Sequence, residues 1–150
     1  MELTKYNFAF QFIPMLVNDL KSDFKLIEFL INKTAMQTLA KHIYGDECTK
    51  SFDWEQLTIE PQKLNERYII VLFILPEALV EGEAKYGLII ADCANDTNPR
   101  LGYFTLEHPE NGGCWFIGSK DNDNHTNYGI LEDEPNYKNF IAKSFEIFTA

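Results

Sequence analysis

The residues YIIVLFIL, from Tyr68 to Leu75, form a continuous apolar run that decides how this chain folds. Most of them are β-branched or aromatic, charged residues precede the run at Glu66 and Arg67, and Pro76 ends it. An apolar run of this length with these boundaries is typical of a strand in the middle of a sheet. The sequence therefore predicts a central strand of a β-sheet here.

Further strands are predicted downstream of this one. YGLIIA at Tyr86–Ala91 and the stretch Leu101–Glu107 are separated by a segment rich in turn-forming residues, and Cys114–Ile117 follows. Between the last two strands, Asn111 and Gly112 supply the residues that a tight hairpin turn favours. We therefore expect these two strands to pair in antiparallel fashion.

Helices are predicted on both sides of the strand region. Upstream, apolar residues recur at helical spacing with Pro14 near the start, and a third helix is expected to begin with a capping box at Thr34 and Gln37 and to end at Gly45. The inward positions predicted for these helices are Phe8, Phe12, Met15, Leu16, Leu20, Phe24, Ile27, Leu30, Ile31, Met36, Leu39, Ala40 and Ile43.

A C-terminal helix is predicted after Pro135, where three carboxylates precede the proline and favour a helix start. Its apolar stripe consists of Tyr137, Phe140, Ile141, Phe145 and Phe148. The chain is therefore predicted to be a single α+β domain over residues 1–150. We expect N-terminal helices, an antiparallel sheet of about four to five strands, and the C-terminal helix packed on that sheet.

The charge balance bears on the kind of partner. With 23 acidic and 13 basic side chains the formal net charge is −10, which repels nucleic acid and anionic membranes. Acidic charge speeds encounter with a basic protein, although it also serves solubility alone. No apolar stretch reaches the length of a membrane span, and Phe8–Val17 is expected to be a packed helix instead of an export signal. We therefore expect a cytoplasmic protein.

No motif for a nucleophile, a phosphate-binding loop or a zinc site occurs, so no catalytic residue, metal or cofactor is predicted. The three cysteines, Cys48, Cys93 and Cys114, lack a CxxC spacing and are expected to be buried small side chains. His42 is expected on the polar side of a helix, whereas His108 and His125 lie in polar segments.

One alternative function stays open. If the predicted loops at one end of the sheet meet, His108, Cys114 and His125 with Asp121 or Asp123 would form an enzyme site or a metal or small-molecule site.

The segment DNDNHTNYGILE, from Asp121 to Glu132, is interpreted as a polar loop. It resembles a calcium loop in its oxygen donors, but position 6 is Thr126 where the sharp turn needs glycine, so we interpret the match as chance. Trp115 on the preceding strand supplies a large side chain suited to an interface. The candidate partner-binding residues are Trp115, Asp121, Asp123, His125, Asn127 and Tyr128.

From Tyr103 to Phe148, the order of features resembles the C-terminal part of small bacterial immunity-type proteins of polymorphic toxin loci. These features are the strand YFTLE, a tight turn, an aromatic strand, the His-x-Asn-Tyr-Gly segment at His125–Gly129 and a proline-led terminal helix. The resemblance implies a non-catalytic protein-binding module that blocks a cognate effector, and the acidic charge fits a basic effector. A structural role through self-association is a third possibility, and the oligomeric state stays open.

Overall fold

The computed structural model describes residues 8–20, 25–46, 52–75, 84–94, 100–107, 115–121, 124–131 and 136–150. A π-helical segment, Phe8–Phe12, continues directly into the first α-helix. The α-helices are α1 (Ile13–Leu20), α2 (Lys25–Leu30), α3 (Lys33–Tyr44) and α4 (Tyr137–Thr149). Pro14 is the second residue of α1, which continues the π-helical segment, and it has no backbone N–H to donate to a carbonyl of the preceding turn.

The strands form one antiparallel sheet in which each strand pairs with its neighbours in sequence. They are β1 (Thr58–Lys63), β2 (Tyr68–Ile74), β3 (Ala84–Asp92), β4 (Arg100–Glu107), β5 (Trp115–Asp121) and β6 (Asn124–Leu131). The α+β class, with N-terminal helices and a C-terminal helix, is confirmed. In the described part of the chain the sheet has six strands, because β1 and β6, which the apolar pattern did not indicate, add an edge on each side.

The apolar run of β2 is explained by helices on both faces of the sheet. Val71 and Phe73 point towards the N-terminal helices, whereas Ile70 and Leu72 belong to the core on the opposite face beneath α4. Alternate residues of a strand point to opposite faces, so a strand covered on both sides has no polar face to show. The central strand predicted from YIIVLFIL is therefore confirmed.

The core on the N-terminal side is largely aromatic. The ring of Phe8 stacks on Phe52 at a centroid distance of 4.8 Å and meets Phe73 of β2 at 6.3 Å. Trp54 lies edge-on to Phe52, also at 4.8 Å. These rings join the π-helical segment to the sheet, and such pairs add about 0.5–1.5 kcal/mol each beyond the apolar area that they bury.

On the other face, α4 packs along the sheet as the sequence predicted. Phe140 stacks on Tyr86 of β3 at 5.9 Å, and Phe145 meets Tyr68 of β2 edge-on at 4.8 Å. Near its end, Phe148 packs edge-on against Phe104 of β4 at 6.4 Å. The helix thus runs across β2, β3 and β4, and Phe140, Phe145 and Phe148 of the predicted apolar stripe face the sheet.

The start of α3 differs from the prediction. Asn32, and not Thr34, caps the helix, because its side-chain oxygen accepts a hydrogen bond from the Ala35 amide at 3.0 Å. Asparagine caps helices as well as threonine does, so the helix begins earlier than the capping-box pattern indicates. The predicted end is confirmed at Gly45, which has a φ of 91° and donates its N–H to the Lys41 carbonyl at 2.8 Å.

Three residues predicted to face inward are exposed: Ile31, Ile43 and Tyr137. Each lies at or just beyond an end of its helix. The apolar stripe is therefore longer than the part of the helix that the neighbouring layer covers. Among the described residues, no helix is long and apolar enough to cross a membrane.

Candidate functional site

The β5–β6 hairpin carries five of the six candidate partner-binding residues. Trp115 and Asp121 are the first and last residues of β5, and His125, Asn127 and Tyr128 lie on β6. Asp123 lies outside the described residues. The interpretation of this segment as a polar loop is wrong, because His125 pairs with Lys120 and the strand continues to Leu131. Cross-strand pairing supplies the backbone hydrogen bonds here, so a strand forms without a strong apolar pattern.

The hairpin also accounts for the calcium-like window. Asp121 ends β5 and pairs with Asn124, the first residue of β6, so the window spans two paired strands. A calcium loop of that type needs a continuous twelve-residue loop between helices. The arrangement agrees with the interpretation of the match as chance.

A β-bulge lies in the middle of the hairpin. Ile117 pairs with Gly129 and the next residue, Gly118, pairs with Asn127, which leaves Tyr128 as the extra residue on β6. Bulges bend a strand and re-aim side chains, and they are frequent near functional sites. One of the candidate residues, Tyr128, is therefore placed by an irregularity that the sequence pattern did not indicate.

The candidate residues do not gather at one point. Trp115 and Asp121 are six residues apart on β5, which corresponds to about 20 Å along an extended strand. Trp115 is half-buried against the core beneath α4, and the Lys85 ammonium lies 5.8 Å from its ring centroid. Asp121 and His125 lie near the opposite end of the hairpin. The residues therefore mark the length of a strand pair and not a compact pocket.

The hairpin is joined to the rest of the sheet over a short distance. β5 pairs with β4 only from Phe116 to Ser119, whereas it pairs with β6 from Trp115 to Asp121. Lys120 and Asp121 thus lie beyond the β4–β5 ladder, in the part of the hairpin that holds His125. Among the described strands, this outer part is paired only within the hairpin.

A buried polar row, which sequence reasoning missed, lies on β4 beside the hairpin. Tyr103, Thr105 and Glu107 are each at most 5% exposed and alternate along the strand, on the face towards the N-terminal helices. The Thr105 hydroxyl donates to Glu107 Oε2 at 2.8 Å. Thr105 pairs with Gly118 of β5, which in turn pairs with Asn127 of β6. Thr105 is therefore in register with the hairpin.

Tyr103 links this row to the N-terminal helices. Its hydroxyl donates to the Ala9 carbonyl at 2.9 Å, across 94 residues of sequence. Burial raises the pKa of Tyr103, and the Glu107 carboxylate raises it further, so the hydroxyl stays protonated and can donate. The alternation Tyr-x-Thr-x-Glu in the sequence was the available signal. This alternation is typical of a strand with one solvent-exposed face, but here α1 lies against β4 and β5 and covers that face.

An ion pair joins the turn between β1 and β2 to the end of β3. The Arg67 guanidinium, in the turn between β1 and β2, donates to both carboxylate oxygens of Asp92 at 2.8 and 2.9 Å. This pairing, with the Ala94 N–H and the charge of Arg100, holds the pKa of Asp92 at about 2 even though burial acts in the other direction. Asp92 itself is almost fully buried, and its carboxylate accepts hydrogen bonds from the Arg67 guanidinium and from the Ala94 N–H.

The alternative metal or enzyme site lies largely outside the described residues. His108, Cys114 and Asp123 lie outside the described residues, and in the part of the chain that is described no three His, Cys, Asp or Glu side chains are grouped so that they could hold a metal ion. His42 is exposed on α3, as predicted. Cys93 follows β3 and is half-buried, so the expectation of a fully buried thiol is wrong there, and Cys48 and Cys114 lie outside the described residues.

Comparison with known proteins gives no family model, curated protein or solved structure that matches this chain.

Proposed function

We propose that this chain is a non-catalytic protein-binding module of the immunity type, which blocks a cognate effector by binding it through the β5–β6 hairpin. The observation that carries the proposal is the position of that hairpin. It forms one edge of the sheet, extends beyond its pairing with β4, and holds His125, Asn127 and the bulged Tyr128 on the outermost strand. A sheet edge that carries polar residues and a bulge suits recognition of a protein surface.

The distribution of charge supports a basic partner. In an antiparallel meander, the segments that follow β2, β4 and β6 all leave from the same end of the sheet. Residues 76–83, 108–114 and 132–135, which make these connections, contain three, one and three acidic residues and no lysine or arginine. These connections thus contain seven of the 23 acidic side chains of the chain and none of the 13 basic ones. A field of this kind raises the association rate with a basic protein and falls with salt.

Trp115 lies at that same end of the hairpin and has the side chain best suited to act as an anchor. It is half-buried, so part of the indole remains available, while the rest is held by the core and by Lys85. An aromatic residue fixed in this way loses little conformational entropy on binding, which is typical of residues that dominate an interface. Electrostatic steering and one or more such anchors would together give a tight complex.

The proposal is tested by affinity capture of the tagged chain from a lysate of its source cells at low and at high salt. We expect a stoichiometric basic protein whose recovery falls at high salt. The double variant His125→Ala/Asn127→Ala should lose it, whereas the matched variant Glu60→Ala/Gln62→Ala, on the exposed edge strand β1, should retain it. Recovery of the chain alone would refute the proposal, as would equal recovery by both variants.

A further inference from the structure

The two edge strands of the sheet differ in how well they are protected against pairing with another chain. β1 reads TIEPQK and carries Glu60, Pro61 and Lys63, all exposed. Charge and proline on an edge are the usual protection, because proline lacks the N–H that a further strand would need. β6 reads NHTNYGIL and has no proline and no Asp, Glu, Lys or Arg. Only the bulge at Tyr128 interrupts it.

The outer side of β6 is unpaired in the described part of the chain. The strand order ends at β6, which pairs with β5 from Asn124 to Leu131. In an antiparallel pair the N–H and C=O groups of alternate residues point away from the partner strand. About half of the backbone groups of β6 are therefore directed away from β5, where a further strand would meet them.

We infer that β6 accepts an extended segment of the partner protein as a seventh strand of the sheet. This inference rests on the proposed function and names how the same hairpin binds. The main chain of the added segment would supply hydrogen bonds along β6, and its alternate side chains would determine specificity. The proline-bearing β1 cannot offer the same surface.

Charge selects the occupant of this edge. The uncharged strand β6 is followed directly in the chain by Glu132, Asp133 and Glu134, and the whole chain has a formal net charge of −10. A segment flanked by lysine or arginine is attracted to such an edge. A second copy of this chain would instead bring a second net charge of −10 to the interface, and the repulsion between the two copies is unfavourable at low salt. The occupant is therefore a basic partner strand and not a second copy.

Amide hydrogen exchange, measured by NMR on the free chain, tests whether the edge is open. We expect alternate β6 amides between Asn124 and Asn127 to exchange rapidly while those paired to β5 are protected. In the complex with the protein that the tagged chain recovers, the rapid amides should slow by about tenfold or more. Uniform protection in the free chain would overturn the inference, because the edge would then already be covered.

Proline substitution tests whether the backbone is what the partner binds. His125→Pro and Thr126→Pro alter consecutive residues, so one removes an N–H that faces β5 and the other an N–H that faces outward. The outward variant should keep its thermal stability and bind the recovered protein about tenfold more weakly or worse. The control Thr126→Ala keeps both N–H groups and should bind at least tenfold more tightly than the outward proline variant.

The outcomes separate the two proposals. Failure to recover any partner would overturn both the function and strand addition. A recovered partner whose binding neither proline variant weakens, and whose binding leaves β6 exchange unchanged, would overturn strand addition alone. A concentration-dependent dimer of the free chain that the outward proline variant abolishes would overturn the basic partner in favour of a second copy. If both proline variants unfold, the exchange measurement in the complex decides.

Discussion

Replacing Gly102 with alanine should push α4 away from the sheet and lower the stability of the fold. A Cβ atom at this position of β4 would lie 2.7 and 2.8 Å from Cδ1 and Cε1 of Phe148 and 3.1 Å from Cε2 of Phe104. Carbon atoms pack at about 3.5–4.0 Å, so the helix or the ring must retreat by about 1 Å. Overpacking of this kind costs about 1–3 kcal/mol.

The ring of Phe148 cannot move aside freely. The Arg100 guanidinium lies 3.9 Å from its centroid, and Arg100 also donates to the Phe148 carbonyl at 2.9 Å. Phe104 packs against the same ring edge-on. Relief of the clash therefore breaks contacts with residues on β4, and the cost should not fall below the lower end of that range.

Urea and thermal unfolding, followed by tryptophan fluorescence, would measure the effect. We expect Gly102→Ala to lower the melting temperature by about 2–12 °C for a chain of this length. The matched variant Phe148→Leu removes the ring that clashes, so the double variant should lose less stability than the sum of the two single variants, by about 1 kcal/mol or more. Wild-type stability for Gly102→Ala, or strict additivity, would refute the reasoning.

Three further predictions concern buried polar groups. Tyr103→Phe should lower the free energy of unfolding by about 1–3 kcal/mol in urea, because the Ala9 carbonyl loses its buried donor; an unchanged value would contradict this role. Ser144→Ala should raise the free energy of unfolding by about 1 kcal/mol, because the Ser144 hydroxyl is fully buried without a hydrogen-bond partner in the described part of the chain and because alanine favours helix. A loss of stability would instead show that the hydroxyl has a partner. Arg67 lowers the pKa of Asp92 from 3.8 to about 2, so the carboxylate stabilises the fold above about pH 4 and this contribution is lost as pH falls towards 2. The stability advantage of the wild type over Asp92→Asn, measured by urea unfolding at a series of pH values, should therefore shrink over that range, and a constant difference would contradict the ion pair.

The sequence predicted the covered strands well for a physical reason. Residues such as Ile70 and Val71 are apolar because helices cover both faces of β2, and the resulting run is visible without any knowledge of pairing. β1 escaped prediction because it is almost wholly exposed and its residues show no alternation. Its strand conformation depends on pairing with β2, for example Glu60 with Leu72, and not on its own composition.

The polar row on β4 shows a different limit of sequence patterns. Alternation of Tyr103, Thr105 and Glu107 with apolar residues indicates one wet face, yet α1 lies against this strand and the three side chains are buried. The hydrogen bond from the Tyr103 hydroxyl to the Ala9 carbonyl joins residues that are 94 positions apart in sequence. No local pattern encodes such a partner, so a buried polar network becomes visible only when the elements are assembled.

The failure to predict β6 follows from the same physics that makes it a candidate binding strand. A strand at an edge draws half of its backbone hydrogen bonds from one neighbour, and β6 has β5 alone among the described strands. A strand that is completed by another protein need not carry the apolar alternation of a fully covered one, nor the proline and charge that protect β1. The proposed strand addition would account for the weak pattern around His125 and Asn127, whereas pairing with β5 accounts for their register.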